Sequence, residues 1–199
     1  VQEITLQDPF GQALAKYSKG LSLGVEIGGG TGDGSTQCIR TRELFSFEIH
    51  PDRIARHKYN LDGRQGGLAI NQLSSNPMMW MSLEAVEDFY RTTKTNLNQY
   101  PLEQITEWHR EEFRVAAQYV WGHLSLKDEI DFLLLDGGVF SGRADFMVFF
   151  PKVREGGIIA LDDINDIKNY GNYQWLKTAG NPILWESQSW RNGSAIFKK

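Results

Sequence analysis

The chain has a single cysteine among 199 residues, Cys38, which excludes an internal disulfide and any zinc site built on several thiolates. No apolar run approaches the ~20 residues that a membrane-crossing helix needs, so no membrane partner is expected. An excess of basic residues is also missing. The 21 Lys and Arg are outnumbered by 25 Asp and Glu, and the net charge of −4 argues against nucleic acid as a partner. No secretory leader is visible, so a cytoplasmic location is expected. The chain opens on Val1 rather than Met, as it would if a native N-terminus had been trimmed or omitted. Composition is otherwise ordinary, at 41% apolar and 23% charged, and the length suits one α/β domain over 1–199.

The most informative stretch is Leu23 to Gln37. A short apolar strand, Leu23 to Ile27, runs into Gly28-Gly29-Gly30-Thr31-Gly32-Asp33-Gly34-Ser35. Glycines at 28, 30 and 32 let the backbone bend sharply and approach a ligand closely. A helix starting near Ser35 would point its free N–H groups into the same space. Neither common phosphate motif fits. The dinucleotide pattern Gly-x-Gly-x-x-Gly meets Asp33 or Ser35 where its last glycine belongs, and no lysine follows to make a phosphate loop. A nicotinamide cofactor is therefore disfavoured. Glu26 and Asp33 would repel a pyrophosphate but attract an ammonium or sulfonium.

A second apolar strand, Leu44 to Ile49, carries Glu48, 22 positions after Glu26 and about one strand–helix–strand unit on. An acidic side chain at that strand tip is placed to accept hydrogen bonds from ribose hydroxyls. Further strands are expected at 67–71, 130–135 and 158–161, with a closing hairpin at 183–187 and 195–198. Helices are expected at 9–19, from Pro51, at 82–94, 101–121 and 142–153, and near 170–179. Gly156-Gly157 reads as a helix stop. The two helices inside about 75–120 read as an insertion in the same domain, with apolar faces that could form a homodimer contact. The expected fold is α/β, a Rossmann-like three-layer sandwich with a seven-stranded, mostly parallel sheet and a C-terminal antiparallel hairpin.

Asp136 would end the fourth strand, and Asp162-Asp163 the fifth. Adjacent strand tips lie about 5 Å apart, so these carboxylates could converge on one cation. Oxygen-only ligation points to Mg2+, or to manganese or calcium, rather than zinc. Trp80, Trp108, Trp121 and Trp175 could line an aromatic pocket, although helix-face tryptophans more often serve as core. Of His50, His57, His109 and His123, only His50 lies near the expected ligand edge.

The glycine turn, Glu48 and the strand-end aspartates together resemble the class I S-adenosylmethionine-dependent methyltransferases over residues 20–199, the insertion apart. Within that group the aspartates are similar to those of the metal-dependent O-methyltransferases of the catechol and macrolide-sugar types. The resemblance implies methyl transfer to a hydroxyl of a small-molecule acceptor such as a sugar, polyketide or phenol. It implies that Glu26, Gly28, Gly29, Gly30, Asp33 and Ser35 hold the methionine portion of S-adenosyl-L-methionine and Glu48 its ribose, with Asn71 or Gln72 at the adenine. Asp136, Asp162 and Asp163 would hold Mg2+ and the acceptor. The catechol type has a lysine base three residues after the strand-four aspartate, where this chain has Val139. Lys168 is the nearest substitute, and Ser141 and Arg143 are candidates to line the acceptor pocket. Two alternatives stay open: a metal-independent N-methyltransferase, and a non-catalytic S-adenosylmethionine-binding partner protein.

Overall fold

Alternate residues of the central strands face two separate cores, and this determines the layering. In β4 (Ile130–Leu135), Leu133 and Leu135 join one apolar cluster while Phe132 and Leu134 join the other. The computed structural model describes residues 3–119, 121 and 129–199. Its other strands are β1 (Leu23–Ile27), β2 (Glu43–Phe47), β3 (Gly67–Ile70), β5 (Val153–Asp162), β6 (Ile183–Ser187) and β7 (Ser194–Lys198). They form one seven-stranded sheet in the order β3-β2-β1-β4-β5-β7-β6. The first five run parallel, and β7 pairs antiparallel with both β5 and β6. This is the expected Rossmann-like sandwich.

One face of the sheet is covered by α1 (Pro9–Ser18), α2 (Ser35–Cys38) and α3 (Pro51–Asp62), which bring Phe10, Leu14, Cys38 and Leu61 into the core. The other is covered by α6 (Gly142–Phe149) and α7 (Tyr170–Thr178) through Phe146, Phe149, Tyr173 and Leu176. Asp8 starts α1 by accepting the Gly11 amide at 2.9 Å, with Pro9 in the first helical position. The insertion holds α4 (Leu83–Thr92) and α5 (Leu102–Ala116); Val86 and Ile105 of these helices, with Leu97 from the turn between them, pack against Phe140 and Ile167. No described helix is long and apolar enough to cross a membrane.

Gly156 and Gly157 are not a helix stop. They lie inside β5, where Ile130 pairs with Val153 and Phe132 with Ile158, so two steps along β4 match five along β5. Gly156, at φ +75°, permits that bulge. The preceding helix ends earlier, at Phe149, and gives way to a 3-10 turn containing Pro151, whose ring cannot continue an α-helix.

Candidate functional site

The order of the sheet reverses between β1 and β4, and open α/β sheets bind ligands at the carboxyl ends of strands at such a switch. A cavity of about 450 Å³ opens there. Its rim carries Gly28 from the glycine turn, Glu48 and His50 after β2, Gln72 and Ser74 after β3, and Asp136 after β4. The turn is pinned by Phe47, whose carbonyl accepts the Gly28 and Gly29 amides at 3.0 Å each. Asp136 is tied across by its amide to the Ile27 carbonyl at 2.9 Å. Gly28 has φ +88°, and a Cβ there would sit 2.2 Å from the Asp136 carbonyl oxygen, so only glycine lets the two strand tips meet.

Glu48 stands at this rim, with Oε1 accepting the Ile49 and His50 amides at 2.8 and 2.7 Å. Oε2 lies 3.8 Å from the Arg53 guanidinium. Gln72 lines the cavity, whereas Asn71 is exposed outside it. Glu48 and Asp136 therefore share one cleft.

Three expected ligand contacts need correction. Glu26 faces away from the cleft and is 0% exposed. Its carboxylate accepts the hydroxyls of Ser35 (2.6 Å), Thr36 (2.7 Å) and Ser46 (2.6 Å). Burial raises its pKa despite these donors. Ser35 spends its hydroxyl on this bond. Glu26 and Ser35 thus brace the glycine turn against α2 from behind. Asp33 sits on the surface, held by Arg56 Nε at 2.6 Å and Asn60 at 3.0 Å. Burial pushes His57 down to about 4, so the ring is neutral. The Ser46 proton goes to Glu26, so His57 Nε2, 2.8 Å from that hydroxyl, is the donor to it. Glu26→Ala would leave three buried hydroxyls without their acceptor. We expect a loss of about 1–3 kcal/mol for such orphaned groups, read as a lower urea midpoint at unchanged m.

Asp136 on the rim and the buried Asp162 and Asp163 beside it bring carboxylate oxygens within 4.8 Å of one another. Consecutive strand residues ordinarily point to opposite faces. Asp163 has left the strand with φ +55°, which turns it toward the same cluster as Asp162. Asn169 fastens this end of the sheet by donating to the carbonyls of Leu135 (3.0 Å) and Asp162 (2.8 Å). That places its neighbour Lys168 among the aspartates, with Nζ 2.8 Å from Asp136 and 2.5 Å from Asp163. Asp162 receives the Ser194 hydroxyl at 2.6 Å on Oδ1, and its Oδ2 lies 3.5 Å from Arg191. Burial opposes the Lys168 charge, but the three aspartates outweigh it and raise its pKa. Burial raises Asp136 and takes Asp162 to about 7, while Lys168 overcomes burial at Asp163 and holds it low.

Two corrections follow. Lys168 is a permanent ammonium, so it cannot serve as a base. The oxygen-only donor set suits Mg2+ in chemistry, but the position between Asp136 and Asp163 is taken by that ammonium. A divalent ion would have to displace it from both carboxylates. As arranged, these residues do not fit Mg2+.

The insertion supplies a wall of the cavity, in which the expected Trp80 and Trp108 are joined by residues that the sequence did not single out. Trp108, Glu111, Glu112 and Val115 of α5 line the cavity at helical spacing, beside Trp80. Glu112 is partly buried there, and desolvation lifts its carboxyl to about 7 although three backbone amides donate to it. Behind the rim, Asp145 accepts the hydroxyls of Ser74, Ser75 and Ser141 at 2.6, 2.7 and 2.8 Å. Ser141 therefore lines the cavity with its hydroxyl turned inward, and Arg143 lies on the surface away from it. His109 donates to the Met81 carbonyl at 2.8 Å, and Trp175 packs on Phe146 and Phe150. His123 lies outside the described residues.

The same architecture recurs in solved structures. An rRNA methylase from Streptococcus thermophilus superposes with a TM-score of 0.54 at 10% identity, covering 100% of this chain and 99% of its own. A precorrin-6y C5,15-methyltransferase from Geobacter metallireducens GS-15 gives 0.55 at 9% identity, with 100% and 92% covered. The N-methyltransferase NodS from Bradyrhizobium japonicum WM9 gives 0.54 at 12%, with 98% and 99% covered. The chain has the Rossmann-like methyltransferase fold. No protein-family profile matches its sequence, and no curated protein does.

Proposed function

We propose that this chain transfers the methyl group of S-adenosylmethionine to a hydroxyl oxygen of a small-molecule acceptor, without a divalent metal. The observation that carries this reading is the cleft at the β1/β4 switch, lined by both Glu48 and Asp136, with Lys168 bound to Asp136 behind the lining. Its volume suits a ligand of nucleoside size. The glycine turn admits the methionine portion, Glu48 accepts from the ribose, and Gln72 lies on the adenine side. When bound, S-adenosylmethionine supplies an electrophilic methyl on a sulfonium. The protein's work is then positioning and charge. The Lys168 ammonium stabilises negative charge developing on the acceptor oxygen. Asp136, raised by burial, takes the hydroxyl proton on a carboxylate oxygen. A fixed ammonium would repel a protonated amine, which favours oxygen over nitrogen as the acceptor atom.

Calorimetry with S-adenosylhomocysteine tests this reading. Binding should be unchanged by EDTA. Glu48→Ala should weaken it about 10- to 100-fold, the value of hydrogen bonds to a charged group, when measured well below the melting temperature of the variant. Absence of binding, or equal binding by E48A, refutes the assignment. Binding that needs added Mg2+ restores the metal-dependent reading. An acceptor screen that follows S-adenosylhomocysteine release then identifies the hydroxyl substrate.

A further inference from the structure

Helix α5 belongs to the insertion, yet one of the side chains that it brings to the cavity also binds the loop after β4. The Glu112 carboxylate accepts the amides of Val139 at 2.8 Å, Phe140 at 3.1 Å and Ser141 at 3.1 Å. Those amides belong to the turn that leads into α6. A carboxylate from one helix thus holds the turn at the amino end of another, where negative charge is favoured. The approach is tight: a Cβ on Gly138 would lie 2.2 Å from Glu112 Oε1. The same loop is gripped twice more. The Met81 amide donates to the Phe140 carbonyl at 3.2 Å, and the His109 ring lies 5.0 Å from that of Phe140. Gly137, Gly138 and Val139 of this loop line the cavity next to Asp136.

We propose that Glu112 is a positioning residue, fixing the β4–α6 loop against α5 and thereby setting the affinity of the S-adenosylmethionine site. This rests on the methyltransferase reading for the identity of the ligand. Glu112→Ala frees the three amides, whereas Glu112→Gln keeps one acceptor oxygen and restores part of the contact. Glu107→Ala, an exposed change on the same helix, serves as the control.

Two measurements on the full chain at 15 °C decide it: the dissociation constant of S-adenosylhomocysteine and amide hydrogen exchange at residues 139–141. E112A should bind at least tenfold more weakly and exchange those amides at least tenfold faster, with E112Q between E112A and wild type and E107A matching wild type. A residue that only stabilises the fold would lower the melting temperature and leave affinity at 15 °C unchanged, and that result overturns the proposal. If E112A does not fold, E112Q alone carries the test, and wild-type affinity and exchange in E112Q overturn it. A wild type that does not bind S-adenosylhomocysteine overturns the methyltransferase reading and the affinity claim together. Equal binding by wild type and E112A overturns the Glu112 proposal alone.

Discussion

Lys168→Met is expected to abolish methyl transfer and to cost about 3–5 kcal/mol of stability at pH 8, the usual penalty for stripping one partner from a buried ion cluster. Lys168 is 9% exposed, so solvent screens little of this. Among the described residues, the substitution leaves the three aspartates with Arg191, paired to Asp162, as the cation in contact, and the unbranched Met side chain keeps the packing. For a chain of this length each kcal/mol moves the melting temperature by about 2–4 °C, so the loss is easily read. The pH dependence makes the test specific. In the wild type, the Lys168 pKa is raised above its unfolded value near 10.5. Its contribution is fully present below that value and is lost only as pH climbs through the higher folded one. In K168M the carboxylates must shed charge instead. Asp162 is already at about 7 and is expected to rise further, so the deficit should shrink as pH falls from 8 to 5. A pH-independent deficit, or activity retained within tenfold, contradicts the role given to this ammonium. Thermal melts at four pH values with a single-turnover assay are sufficient.

The second large effect concerns Gly28. Gly28→Ala places a methyl 2.2 Å from the Asp136 carbonyl oxygen, on a backbone with φ +88°. The contact is with backbone, so it is relieved only by moving β1 and β4 apart at the point where the cleft forms. Cofactor binding is expected to fall at least 100-fold, with visible destabilisation. Gly30→Ala is the matched control. It has a similar left-handed φ of +59° but nothing within 4 Å of its added carbon, so it pays only the backbone cost of about 1 kcal/mol. Equal binding losses in the two variants would mean that turn strain, not strand-tip approach, governs the site.

Much of this fold was legible because its signals were local. Ile130–Leu135 is a run of buried strand residues bounded by Asp136-Gly137-Gly138, and β1 meets its glycines directly. The hairpin of β6 and β7 is marked by Asn192-Gly193. The placement of candidate site residues was legible where position along a strand decides it. Glu48 and Asp136 follow the ends of β2 and β4, the two parallel neighbours of β1, and register carries both to one rim. It was not legible where side-chain direction decides. Glu26 precedes the turn by two residues, but the pleat sends its carboxylate toward Ser35, Thr36 and Ser46 instead of the cleft. Asp33 was taken up by Arg56 from a helix whose packing no local pattern specifies. The role of Lys168 depended on Asn169 pulling the β5–α7 loop over the ends of β4 and β5. Glu112 did leave a trace. Trp108, Glu111, Glu112 and Val115 share one helical face, and an acidic residue between a tryptophan and a valine signals an unusual partner for that face.

The solitary thiol has a practical corollary. Cys38 is wholly enclosed under α1, and burial lifts it to about 11, so thiolate is scarce at neutral pH and no reagent reaches it in the native state. The natural chain is therefore a blank background for maleimide chemistry. A single cysteine introduced at an outward position such as Met147 would carry a fluorophore or spin label with no competing attachment, and the wild type itself would report unfolding by the moment it becomes labelled.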